Sequence, residues 1–147
     1  MAWHVKCNAS NCGRETRAAN IVELISSCID GRGRFVCACG ADAHIKKCFE
    51  LQEEGETWEP FLRGIIQLGE RGDTYQPFVF LVSDTASGEV VDLWFSYYKD
   101  LRPSGRLKLG HGPGGPPVLR KTDVLRLLRQ LKNLGCLSAR EIGNALR

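Results

Sequence analysis

Apolar and polar residues alternate in Trp3-His4-Val5-Lys6, which predicts a short strand running into Cys7. Ile21, Val22, Leu24, Ile25, Cys28 and Ile29 instead recur at helical spacing, so Ala18–Cys28 is expected to be an amphipathic helix with Cys28 on its buried face. Asp30-Gly31-Arg32-Gly33 then turns the chain into a second short strand, Arg34-Phe35-Val36, and a strand-like run follows over Ala43–Leu51. Leu51 to Thr57 is acidic and turn-like, and marks a boundary. Beyond it stand three apolar runs of eight or nine residues, Phe61–Leu68, Tyr75–Ser83 and Val90–Tyr98, joined by short Gly/Asp-rich stretches. Such runs read as an antiparallel meander, which Arg106–Leu109 extends as a fourth strand. Trp58–Leu68 also fits a helical period through Phe61, Leu62, Ile65 and Leu68.

After the meander, Gly110 to Pro117 is rich in Gly and Pro and reads as an extended linker. It lacks the Gly-Lys-Ser/Thr ending of a phosphate loop. Thr122-Asp123 is expected to cap a helix whose Val124, Leu125, Leu127, Leu128, Leu131 and Leu134 form a broad apolar stripe, and Gly135 ends it. Ser138-Ala139-Arg140-Glu141 is a capping box that opens a second helix, Ala139 to Leu146. The expected class is α+β, in the order 1–51, an N-terminal module; 58–109, an antiparallel sheet; 110–121, a linker; and 122–147, a helical hairpin.

At 147 residues the chain makes one compact domain or two small ones. No apolar run approaches the ~20 residues of a membrane-spanning helix. The first residues lack the basic-then-apolar layout of a secretory signal, so a cytoplasmic protein with no membrane partner is expected. The net charge of +3 hides a split. Residues 1–100 carry 10 Lys/Arg against 15 Asp/Glu, whereas residues 101–147 carry 10 against 2. That asymmetry points to an anionic partner for the C-terminal third, or to a basic surface that docks on the protein's own acidic part. Three histidines, none in a recognisable catalytic setting, give no pairing of nucleophile and base, so a non-enzymatic role is expected.

Seven cysteines make an odd number in a chain expected to carry no export signal, a pattern that fits metal binding better than disulfides. They include two close pairs, Cys7 with Cys12 and Cys37 with Cys39, each followed by glycine (Gly13, Gly40). Zinc takes four soft ligands in a tetrahedron with Zn–S near ~2.3 Å, and two thiolate pairs supply them. A glycine after the second cysteine permits the tight turn that aims both sulfurs at one ion. Residues 1–51 therefore resemble a zinc ribbon, although the family's usual spacing is Cys-x-x-Cys-Gly and the two knuckles here hold four and one intervening residues. The resemblance implies a structural Zn2+ held by Cys7, Cys12, Cys37 and Cys39. Cys48 or His44 can replace one ligand, and His4 is a weaker substitute.

The third run of the meander has aromatics on both faces, with Trp94 and Tyr98 opposite Val91, Leu93, Phe95 and Tyr97. These belong either to a strand covered on both sides or to a stacking platform for bases, because Lys99, Arg102, Arg106 and Lys108 follow at once. Arg126, Arg129 and Lys132 form a further basic ridge on the first C-terminal helix. The helical hairpin resembles the opening half of a helix-turn-helix and the short C-terminal hairpin of the SHOCT type, which is associated with assembly. The chain stops before a recognition helix can follow, so a hairpin that packs on the sheet or on a second subunit is the better expectation. Zinc ribbons often act on nucleic acid or polymerase. The expected function is a zinc-stabilised nucleic-acid-binding or transcription-associated accessory protein; the alternative is a protein-interaction adaptor that partners another protein or itself.

Overall fold

The N-terminal alternation becomes β1 (Trp3–Cys7), which buries Trp3, Val5 and Cys7 and exposes His4 and Lys6. The computed structural model describes residues 2–50, 57–70, 73–110 and 117–147, with only the backbone of Phe49 and Glu50. Most of the acidic boundary stretch and of the Gly/Pro linker, His111 included, lies outside the described residues. The described residues form nine strands and three helices, an α+β architecture. Seven strands make one sheet of order β2-β1-β3-β6-β7-β8-β9, and β4 (Phe49–Glu50) pairs with β5 (Thr57–Trp58). The chain divides into two compact units that do not follow chain order, Met1–Ile65 with Phe80–Trp94, and Ile66–Val79 with Phe95–Arg147. The 58–109 segment is thus shared between them.

In the first unit β1 pairs antiparallel with β2 (Glu15–Ala18), Val5 opposite Thr16. Its other edge pairs with β3 (Ala43–Lys46), Lys6 opposite His44 and Cys7 opposite Ala43. The use of Glu15–Ala18 as a strand is why α1 spans Ile21–Cys28 and not Ala18–Cys28. Three of the four β2 positions are exposed, so it leaves no hydrophobic alternation to read. Asn20 caps α1, its side chain accepting the N–H groups of Val22 and Glu23 at 3.0 and 3.1 Å. The helix turns Ile21, Leu24 and Cys28 into the core. The expected strand Arg34–Val36 is a string of isolated bridges: Phe35 N–H donates to Arg63 O (2.9 Å) and Ile65 N–H to Gly33 O (2.7 Å). These bonds, with the Ile45–Leu62 and Lys46–Phe61 pairs from β3, make β6 (Phe61–Gln67) a strand and not a helix. Phe35 and Leu62 are fully buried.

β7 (Tyr75–Ser83) and β9 (Leu107–Gly110) fall close to their expected bounds, while β8 (Asp92–Asp100) starts two residues later than Val90 and runs on to pair Asp100 with Leu107; β7 and β8 each have residues in both units, and β9 lies in the second. Gly110 sits against the Tyr97 ring, where a Cβ would come within 2.0 Å of it. The first C-terminal helix, α2, spans Lys121–Asn133. Its cap differs from expectation: Thr122 lies inside the helix, and the Asp123 carboxylate accepts the N–H of the N-cap residue, Arg120, at 2.9 Å. At its end Gly135 takes φ +74°, and Cys136 N–H returns to Leu131 O at 2.9 Å. The Ser138–Glu141 capping box opens α3 (Ala139–Ala145), none of whose residues is buried.

Of the basic ridge on α2, Arg126 is committed to its own unit. Its guanidinium donates to Leu68 O (2.6 Å) and Gly69 O (3.2 Å) and pairs with Glu70 (2.9 Å). Arg126→Met is expected to leave those carbonyls without their donor and to lower stability by about 1 kcal/mol or more. Arg129→Met, at an exposed position, should stay within about 0.5 kcal/mol of the parent in the same denaturant titration.

Candidate metal centre

Four cysteine sulfurs come together at one end of the β1–β2 hairpin. Those of Cys7, Cys12, Cys37 and Cys39 all lie within 4.8 Å of one another, and no disulfide joins any of the seven cysteines. Cys7 ends β1, where its N–H donates to Arg14 O (2.9 Å), and Cys12 N–H closes the intervening loop onto Ala9 O (3.1 Å). Gly13 leaves the loop with φ +61°, the left-handed conformation in which a side chain is disfavoured. The second pair sits in a tight reversal in which Cys37 N–H donates to Ala41 O and Gly40 N–H to Cys37 O, both at 2.8 Å. Gly40 there takes φ +87°. The two reversals are locked together by Asn8 N–H donating to Asp42 O at 2.9 Å. Unequal spacing is therefore no obstacle, since each loop supplies two sulfurs through its own backbone bonds.

The cluster is asymmetric in its exposure. Cys7 and Cys37 are each 7% exposed, whereas Cys39 faces solvent and Cys12 is half-buried. Burial pushes the Cys7 thiol up to about 12, while the Ala41 N–H and the neighbouring thiols hold Cys39 down to about 7. Ala9 N–H also donates to the Cys7 sulfur at 3.4 Å. A buried thiol held protonated beside three others is an arrangement that a divalent cation resolves, because coordination deprotonates the ligands outright. The four cysteines can hold a metal ion.

Neither substitute ligand joins the four sulfurs. His44 is buried, and its Nδ1 bonds to the Asn8 Oδ1, whose Nδ2 donates to Ala86 O (2.7 Å). Burial, with Arg63 and Lys6 nearby, lowers the His44 pKa and so favours the neutral ring. His44 thus braces the residue next to Cys7 from behind, a role that sequence spacing does not signal. Cys48 is exposed, and His4 pairs with Glu15 on the open face of β1 and β2.

All seven cations considered for nucleic acid belong to the second unit, which holds 12 Lys/Arg against 5 Asp/Glu; the first unit holds 8 against 12. Lys99 and Lys108 face each other directly across β8 and β9, and the Lys99 ammonium stands 5.8 and 5.9 Å from the Tyr75 and Tyr97 ring centres. Like charges directly opposite in an antiparallel pair destabilise it. Arg102 is taken up by Asp100 through bonds of 2.8 and 2.6 Å, which hold that carboxyl down to about 2. Arg106, Lys108, Arg129 and Lys132 are exposed, and none pairs with a carboxylate among the described residues. Of the two aromatics considered as a base platform, Tyr98 is 8% exposed, and Trp94 is half-buried with its ring edge-on to Trp58 at 5.4 Å.

No protein-family model, curated protein or solved structure matches the chain.

Proposed function

We propose that the protein is a zinc-stabilised, non-enzymatic binder of nucleic acid that grips the phosphate backbone through its second unit. Four thiolates favour Zn2+ among the abundant divalent ions and fill its tetrahedron, which leaves no position for water or substrate. The metal's part is then structural, and recognition falls to protein surface. The observation that carries the reading is the separation of charge. The sulfur cluster sits in a unit with an acidic excess, while the other unit presents exposed cations that pair with no carboxylate among the described residues, two of them set side by side at a cost that a phosphate between them would offset. Because Tyr98 is buried and Trp94 is engaged, phosphate contacts and not base stacking would supply the affinity, so binding should tolerate any sequence. A role beside the transcription machinery is compatible with such binding.

Fluorescence anisotropy of a labelled oligonucleotide tests this across a salt series. Lys99→Gln with Lys108→Gln should weaken binding and flatten the plot of log affinity against log salt by roughly 0.7–0.9 for each phosphate that is no longer neutralised. Arg129→Gln with Lys132→Gln should do the same if the ridge on α2 contributes. Absence of binding to both DNA and RNA at low salt would end the proposal.

A second reading, a protein-interaction adaptor, is favoured by the exposure of Val124 and Leu125 on α2 and of Leu146 just after α3, at 43, 56 and 81%. A strictly monomeric protein by light scattering, with no partner retained on purification, would count against it.

A further inference from the structure

We infer that Cys39 is a modification site for hydroperoxides, at which oxidation couples to release of the metal. The inference rests on the metal-binding reading of the four cysteines and goes beyond it, because it assigns the four sulfurs different chemistry. Attack on a peroxide needs a sulfur that the oxidant can reach. Cys7 and Cys37 are nearly sealed, whereas Cys39 is exposed at the tip of the Cys37–Ala41 reversal. Disulfide formation then needs a second thiolate within reach. Among the cluster's close contacts, the Cys39 sulfur lies 3.6 Å from that of Cys7, and Cys12 lies 3.8 Å from Cys37. The exposed sulfur and its buried neighbour therefore come from different loops, 32 positions apart, so the bond that joins them replaces the metal as the tie between β1 and the second reversal.

The Cys39 thiolate attacks the terminal oxygen of the hydroperoxide; the S–O bond forms, the O–O bond breaks, and the alkoxide leaves and takes a proton from water. The Cys7 thiolate then attacks the Cys39 sulfenic sulfur; the S–S bond forms, the S–O bond breaks, and hydroxide leaves and is protonated. Two electrons pass from sulfur to the peroxide, and the ion loses two of its four ligands. Cys12 and Cys37 alone cannot complete a tetrahedron, so the metal departs. Cys48 is also exposed but lies outside the cluster, so its oxidation releases nothing and it is removed from the protein tested.

The experiment uses the full chain carrying Cys48→Ser, loaded with zinc and exposed to hydrogen peroxide. Zinc release is followed with a chromogenic chelator, and linkages are mapped by mass spectrometry. The expected result is one zinc released per chain, with Cys7–Cys39 as the first linkage and metal binding restored by a thiol reductant. Limiting maleimide on the zinc-loaded protein should mark Cys39 roughly tenfold or more ahead of Cys7 and Cys37. Cys39→His, which keeps a fourth ligand but no oxidisable sulfur there, should hold its zinc at a peroxide dose that strips the parent. A first linkage between Cys12 and Cys37, first labelling at Cys7 or Cys37, or equal zinc loss from Cys39→His would each overturn the inference. A chain that never takes up metal would instead overturn the metal-binding reading itself.

Discussion

Stripping the metal with a chelator at neutral pH should unfold the ends of β1 and β3 and the two loops that carry the cysteines, read as lost amide protection over residues 5–16 and 35–46. The physical reason is that few apolar side chains hold these loops: Asn8 and Cys12 are half-buried, and Asn11, Gly13, Arg14, Ala38, Cys39 and Gly40 do not enter the core. Their backbone bonds, such as Cys37 N–H to Ala41 O, mostly satisfy each loop locally, and between the loops run the Asn8–Asp42 bond, the His44–Asn8 bond and the short β1–β3 pairing at Cys7 and Ala43. On the proposed reading a bound zinc ion is the stronger tie, since structural zinc at four-thiolate sites contributes on the order of 10 kcal/mol of apparent free energy at pH 7. Cys37→Ser should therefore cost most of the site's affinity and much of the unit's stability. Cys48→Ser, at an exposed position outside the cluster, should change the unfolding free energy by no more than about 0.5 kcal/mol. The effect also has a pH sign. Coordination keeps all four sulfurs deprotonated, so acid competes with the metal and stability falls as pH falls. The Cys7 thiol, which burial raises to about 12 without a cation, is the ligand most dependent on it. Retention of full protection after chelation, with no metal detectable by elemental analysis, would remove the centre from the structure.

Gly64→Ala should be the most damaging single methyl that the fold can receive in β6. A Cβ at that position would stand 2.2 Å from Gly33 O and 3.0 Å from Arg34 Cα, both backbone atoms that cannot rotate aside. The added methyl forces apart the contact through which Ile65 N–H reaches Gly33 O and Phe35 N–H reaches Arg63 O. Overpacking of this kind costs roughly 1–3 kcal/mol, and more where backbone must shift. Because Phe35 is fully buried and leads directly into Cys37, the same substitution should also weaken metal affinity. Gly143→Ala is the counter-case: it sits within α3 with nothing within 4 Å of the added Cβ, and should stabilise by about 0.5–1 kcal/mol. Denaturant midpoints for the two variants check the pair. Equal midpoints would mean that the 33–35 segment does not lie against β6 as described.

The elements legible from sequence are those whose side chains face one core. The apolar stretch Phe78–Val82 within Tyr75–Ser83 specifies its strand, and Ile21, Leu24 and Cys28 announce the buried face of α1. Glu15–Ala18 is not legible, because its strand depends on backbone pairing with β1 and only Ala18 is buried. The same holds for the cap of α2, where Asp123 serves Arg120 and the expected Thr122 does not. For the candidate site, cysteine type and spacing name four residues that the fold brings within 4.8 Å, since loop glycines and paired thiols are local features. Spacing leaves open whether His44 or Cys48 takes part.

Composition and local period alone thus determined an α+β chain with two cysteine loops and a basic C-terminal third, because ligand type, turn residues and hydrophobic period act over a few neighbours. Only the tertiary structure decided that His44 bonds to Asn8, that Arg126 serves the carbonyls of Leu68 and Gly69, and that Lys99 faces Lys108. It also decided which sulfur is exposed. Each of these depends on strand register and on contacts between residues far apart in the chain, and register is set by how the whole sheet buries its faces and not by any short stretch of sequence.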